Sequence, residues 1–246
     1  MISVVKFFDR FVAFGSTLLL AVTLIAAGFA AVAVPDWAAV ALSRAYSGCD
    51  QPRTPFTQQE LTDMALAGKH YTFDSNNSDE LASAIASANA SAEADGRANK
   101  LGELSETRSL PADAISHLDD VYRVVCVAKP VLFALAILCI AGLVHVAVRI
   151  NKRALGYVLL AGGGTVLACF VALGIWAVID FYGLFGVFHS LFFQAGTWTF
   201  SYDSLLITMY PTAFWMGMAG IWLAVTCFAS IICIVVGRKL CKQRPA

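Results

Sequence analysis

Four long apolar runs organise this chain, at Phe11 to Val34, Val131 to Val148, Leu155 to Ile179 and Phe214 to Val236. A helix needs about 20 predominantly apolar residues to cross a bilayer's hydrocarbon core, so each run predicts a transmembrane helix. The shortest, 131–148, still reaches the interface because Arg149, Lys152 and Arg153 follow at once and can snorkel. The expected fold is an all-α integral membrane protein, a single membrane domain over 1–246, with transmembrane helices at 11–34, 131–148, 155–179 and 214–236. The segments between them are of two kinds. Residues 35–129 form a loop too long to be a mere connection; 180–213 form an aromatic segment that is neither a full span nor a polar loop and reads as an interfacial or re-entrant hairpin.

Within the long loop, Thr57 and Glu60 have capping-box spacing ahead of Leu61, Met64, Ala65 and Leu66, which predicts a short amphipathic helix. Residues 79–98 are rich in Ala and Ser, with helix propensity but little to bury, so a weakly packed helix or mobile segment is expected there. Ser109-Leu110-Pro111 is a helix start signal, and 111–128 reads as a helix leading directly into the second span.

The composition agrees with a membrane protein: 59% of the 246 residues are apolar and the mean hydropathy is +0.71, where soluble domains have roughly 45–50% apolar residues. Net charge is zero, but the charges are segregated. Lys6, Arg10, Arg149, Lys152, Arg153, Arg238, Lys239, Lys242 and Arg244 flank the spans on one side, joined there by a single acid, Asp9. By the positive-inside rule that side is cytoplasmic. Both termini, including the tail 237–246, are then cytoplasmic and both long loops extracytoplasmic, forming a small cap on a multi-pass membrane protein. The first run exceeds the roughly 7–15 residues of a signal-peptide core, so an uncleaved anchor is expected. Seven scattered cysteines show no metal-ligand spacing, and no Cys49–Cys126 disulfide is assigned because nothing in the sequence fixes their distance.

No Asp, Glu, Lys or Arg lies deep in any span, which argues against a proton-coupled pump or a pore built from charged rings. Attention falls on the four histidines. His145 sits in a span one turn before Arg149 and reads as a packing or headgroup contact; His70 reads as a solvated loop residue. His117 lies on the helix before the second span, with Asp113 and Asp120 at spacings that place them on its face, and His189 opens an aromatic passage containing Phe192, Phe193, Trp198, Asp203 and Tyr210. Two imidazoles at one membrane face are acyl-transfer equipment, since a group of pKa about 6.5 takes a proton from an amine and returns it to an alkoxide. No Gly-x-Ser-x-Gly elbow supports a serine hydrolase and no His-Glu-x-x-His supports a zinc site.

At these positions the chain resembles the lipoprotein intramolecular transacylase (Lit) family of bacterial polytopic membrane proteins. The matching pieces are SHLDDV over 116–121, with Leu118 where family members have Met, then FHSLFF, Trp198, DSLLI and YPTAFW in order. The pattern departs at Ala114, where family members often carry a carboxylate, and in the long Ala/Ser-rich loop. The resemblance implies a membrane acyltransferase that moves the sn-2 acyl chain of a diacylglyceryl-cysteine lipoprotein onto its own N-terminal amine. The implied catalytic residues are His117 and His189, with Asp120 orienting His117 and Asp203 either supporting His189 or capping local backbone. Phe192, Phe193, Trp198 and Tyr210 would contact lipid. The implied partners are a lipid-modified lipoprotein N-terminus and membrane phospholipid, with no nucleic acid; no metal and no organic cofactor is implied, because the ester already holds the activated acyl group. The alternative is a non-enzymatic lipid-binding or assembly protein of the same layout.

Overall fold

The computed structural model describes residues 2–51, 54–98 and 105–243. Arg244, counted above among the flanking cations, and the end of the predicted tail lie outside the described residues, as do positions 52–53 and 99–104 of the long loop. Helices make up most of the described chain and no strand occurs in it: α1 (Ile2–Ala33), α2 (Asp36–Tyr46), α3 (Gln58–His70), α4 (Ser78–Ala94), α5 (Ser105–Arg108), α6 (Ala112–His145), α7 (Lys152–Ile179), α8 (Phe181–Ser190), α9 (Leu205–Met209) and α10 (Thr212–Lys242). Four are long and apolar enough to cross a membrane: α1, α6 with the π-helical turn that extends it to Ile150, α7 and α10. The protein is an all-α integral membrane protein with four transmembrane helices. Pro130 lies inside α6, whose helix runs unbroken through it. The uncharged part of α6 begins at Val131, after a charged first half containing Asp113, Asp119, Asp120, Arg123 and Lys129.

Two compact units divide the chain. The first comprises 1–31, 128–184 and 222–246 and is built from apolar helix segments. Because lipid is as apolar as these side chains, close backbone approach and a few polar contacts hold such helices together. Trp222 donates its indole N–H to the carbonyl of Ile25 at 3.0 Å and meets Phe29 and Phe170 edge-on, which ties α1, α7 and α10. A Cβ on Gly237 would stand 2.7 Å from the carbonyl oxygen of Gly156, a backbone atom that cannot turn aside. Gly237→Ala therefore lowers stability by about 1–3 kcal/mol, read as a lower melting temperature in detergent. His145 has a partner the sequence did not suggest: its Nε2 lies 3.1 Å from Asp9, and the Phe8 ring stands edge-on to it.

The second unit comprises 32–127 and 185–221. Thr57 and Glu60 form a reciprocal capping box at the start of α3. Leu61, Met64 and Ala65 from α3 then meet Leu81 and Ala88 of α4, Ala114 and Leu118 of α6, and Leu205, Leu206 and Met209 of α9 in one core. One sequence expectation is narrowed here and one changes. Of the two forms expected for the Ala/Ser-rich stretch, the helix is the one present: α4 buries Leu81, Ala88 and Ala92 on one stripe, and small residues let it lie close to α3. And the end of the aromatic segment is core rather than membrane seat, since Leu205 and Met209 are fully buried.

Polar ties fix this unit's edges. Arg97 donates to Glu60, Asp95, Ser91 and the carbonyl of Pro55, and its guanidinium holds the Glu60 carboxyl at about 2, well below the usual range. His70, expected as a solvated loop residue, instead ends α3 with Nδ1 at 2.8 Å from Glu80 and Nε2 at 3.3 Å from Asp36. Burial alone would lower its pKa, but the two carboxylates outweigh that and raise it.

Candidate active site

Both imidazoles of interest belong to the second unit. His117 sits on α6 one residue before Leu118 and one turn after Ala114, both core residues, so the packing that anchors α6 also turns His117 inward. It is only 9% exposed. His189 sits in the last turn of α8, where Phe192 and Phe193 both donate backbone N–H groups to its carbonyl and fold the chain back. Gly196, at φ +89°, then turns the returning segment in a conformation that L side chains rarely adopt.

These local features bring the two rings face to face. Their centroids are 6.3 Å apart with planes 28° from parallel. Phe193 lies 5.0 Å from His117 and 5.7 Å from His189, and Phe200 lies 5.5 Å from His117. Phe185, one turn before His189, stacks on it at 4.0 Å, and Trp198 covers it at 4.9 Å. The result is an imidazole pair inside an aromatic enclosure.

Enclosure decides protonation. Burial, with a second contribution from the neighbouring His189, takes the His117 pKa down to about 4, against a weaker opposing pull from Asp120. Burial also lowers the His189 pKa, partly offset by the carbonyl of Phe185, which lies 2.9 Å from Nδ1. A carbonyl oxygen only accepts, so Nδ1 of His189 carries the hydrogen and Nε2 keeps a free lone pair. Both rings are neutral at pH 7. Since the unfolded chain binds a proton on His117 near pH 6.5 and the folded chain resists it down to about 4, stability is complete above pH 6.5 and is lost as pH falls through that window. Melting curves between pH 6.5 and 4 should show this decline, and His117→Gln should flatten it.

Neither expected supporting carboxylate hydrogen-bonds an imidazole of the pair among the described residues. Asp120 pairs with Arg123 at 3.1 Å, and Nδ1 of His117 is buried without a hydrogen-bond partner. A basic residue one turn along an exposed helix face is the nearer partner for the carboxylate. Asp203 is exposed, the local helix cap is Ser204, whose hydroxyl accepts from Ile207 N–H, and His189 Nδ1 is already taken by Phe185. Tyr210, expected to contact lipid, instead turns its hydroxyl inward to the carbonyl of Ala65, and burial pushes its pKa up. Phe192 remains half exposed beside Phe188, while Phe193 and Trp198 face the imidazoles. Phe185 was recoverable from the sequence as the residue one helical turn before His189. Phe200 carried no such signal.

Residues 97–215, which contain both histidines and every ring around them, match the family model described as lipoprotein intramolecular transacylase Lit. This segment belongs to the Lit family. No curated protein matches the chain. The in meso structure of the membrane-integral Lit from Bacillus cereus superposes with TM-score 0.73 at 20% identity, covering 96% of this chain and 97% of that one. Two structures of the same Bacillus cereus protein, each with one histidine substituted, by arginine or by alanine, superpose with TM-scores of 0.66 and 0.67 at 18% identity. They cover 98% of this chain and 95% and 97% of theirs. The likeness to Lit extends over the whole fold, while the family match concentrates on the segment that builds the histidine enclosure.

Proposed function

We propose that this protein is a lipoprotein intramolecular transacylase, working at the outer face of the bacterial cytoplasmic membrane with both termini in the cytoplasm. The observation that carries this reading is the pairing of two neutral, desolvated imidazoles within the Lit-family segment. In the proposed reaction the N-terminal amine of a diacylglyceryl-cysteine attacks the sn-2 ester of its own lipid through an eight-membered ring. A new N–C bond forms, the ester C–O bond breaks, and the products are an N-acyl amide and a free sn-2 hydroxyl. Because nucleophile and electrophile share one molecule, holding them at near-attack distance supplies much of the acceleration.

The proton inventory assigns roles. The free amine is an ammonium of pKa about 8. A base at about 4 would take that proton uphill by about 5 kcal/mol, at 1.36 kcal/mol per unit, so His117 is the poorer base. His189 has a fixed tautomer with Nε2 free, and the Phe185 carbonyl supports the positive ring that forms. We assign His189 as general base and His117 as donor to the departing sn-2 oxygen. His189 passes the ammonium proton through His117 to the departing oxygen, then takes the amine's remaining transferable proton and releases it to water, so one proton leaves per turnover and the two rings are never cationic together. Phe192, with Phe188, is assigned to acyl-chain contact, and membrane phospholipid to the surroundings of the half-exposed rings.

Mass spectrometry of lipoprotein N-termini from cells with and without the protein tests the reading. Appearance of N-acyl, S-monoacylglyceryl cysteine with the protein supports it; unchanged diacylglyceryl cysteine contradicts it.

A further inference from the structure

We infer that Trp198 is a catalytic residue whose indole N–H holds the ester carbonyl oxygen as it becomes an oxyanion. This rests on the transacylase reading above and adds a third group to the two imidazoles.

The starting observation is an unpaired donor. Among the described residues the buried side-chain nitrogens without any hydrogen-bond partner are two, His117 Nδ1 and Trp198 Nε1, and both belong to the imidazole enclosure. A buried donor left unpaired is costly and calls for a specific explanation. Trp222 shows the ordinary solution, since its N–H reaches the Ile25 carbonyl. Trp198 has no such acceptor.

Packing alone does not account for an indole at 198. Every other ring around the histidines is a phenyl: Phe185, Phe188, Phe193 and Phe200. The Trp198 ring lies along one turn of α8, with its far corner, Cη2, 3.7 Å from where a Cβ on Gly186 would be and its face 34° from the His189 plane. An indole differs from a phenyl there by added area and by one N–H. That N–H is dry and lies in the ring that covers the proposed base.

Acyl transfer calls for such a group. As the amine nitrogen bonds to the ester carbon, the carbonyl π pair moves onto oxygen; as the intermediate collapses, that pair re-forms C=O and the sn-2 oxygen leaves with the proton brought from nitrogen. A donor that is already desolvated and unpaired strengthens its bond as the oxygen gains charge and needs no reorganisation. An indole N–H does not titrate in the working range, so its contribution is independent of pH. The assignment also frees His117 for the departing oxygen.

Replacing Trp198 site-specifically with 3-benzothienylalanine exchanges N–H for sulfur while keeping the ring shape, and fluorinated tryptophans make the N–H a stronger donor. On a purified full chain given a synthetic diacylglyceryl-cysteine peptide in lipid, the sulfur isostere should lower kcat about 10²–10³-fold with KM unchanged, the pH profile unshifted and the melting temperature equal or higher. The fluorotryptophans should retain or raise kcat in the order of their N–H acidity. Full kcat with the isostere overturns the inference, as does a rate indifferent to fluorination. If the unsubstituted protein yields no N-acyl product, the transacylase reading itself fails and this inference falls with it.

Discussion

His189→Ala should reduce N-acyl product formation by about 10²–10⁴-fold, the range typical of losing a positioned general base. His189 stands at the end of α8 among partly exposed rings, and among the described residues its side chain's only polar tie is to its own helix through Phe185. The fold therefore should not depend on it, and the variant should melt close to the unsubstituted protein. His117→Ala should lose activity too, by a smaller factor, because protonated His189 can still deliver its proton to the departing oxygen, whereas His117, held at about 4, is a poor substitute base when His189 is removed. A ratio in the opposite sense would exchange the roles assigned above. Rates for both variants in the same lipid, alongside their melting temperatures, check this.

The largest expected loss of stability is in the helical core of the second unit. Leu205 and Met209 of the short α9 are fully buried against α3 and α6 residues, and the chain just after α9 is tied by the Tyr210 hydroxyl to Ala65 and by Ser47 to the Met209 carbonyl at 2.6 Å. A five-residue helix cannot hold its own shape, so packing holds α9. Leu205→Ala should cost about 2–5 kcal/mol. Because α9 follows the segment carrying Trp198 and Phe200, activity should fall with stability, and guanidinium or thermal unfolding in detergent would measure the first while the acyl-transfer assay measures the second. Leu205→Met, which conserves volume, should cost less than about 1.5 kcal/mol.

The four spanning helices were legible because lipid sets a length and an apolarity that sequence states directly. The histidines were legible as well, since His117 and His189 are the imidazoles flanked by helix-compatible and aromatic sequence rather than by charges alone. The partners of the supporting carboxylates were less legible: Asp120 has spacing suited to His117 and pulls on its proton, but its ion pair is with Arg123. Spacing gives a shared face without choosing among partners on it. Tyr210 was read as a lipid contact, and the segment containing α9 as an interfacial hairpin, because aromatic and aliphatic side chains serve a lipid surface and a protein core equally well. Likewise the Ala/Ser composition of α4 gave propensity without revealing that small side chains suit a close helix crossing. His70 could not be paired from sequence, because Asp36 and Glu80 reach it from other helices.

The central claim is that one enclosure moves an acyl chain within a single lipid-modified molecule. The most direct test gives the purified full chain two diacylglyceryl-cysteine peptides together, one with an isotopically labelled peptide and sn-2 chain and the other unlabelled, and reads the products by tandem mass spectrometry. The account predicts that each peptide carries only its own chain on nitrogen and gains a free sn-2 hydroxyl. Products with exchanged chains, or chains drawn from the surrounding phospholipid, would contradict it.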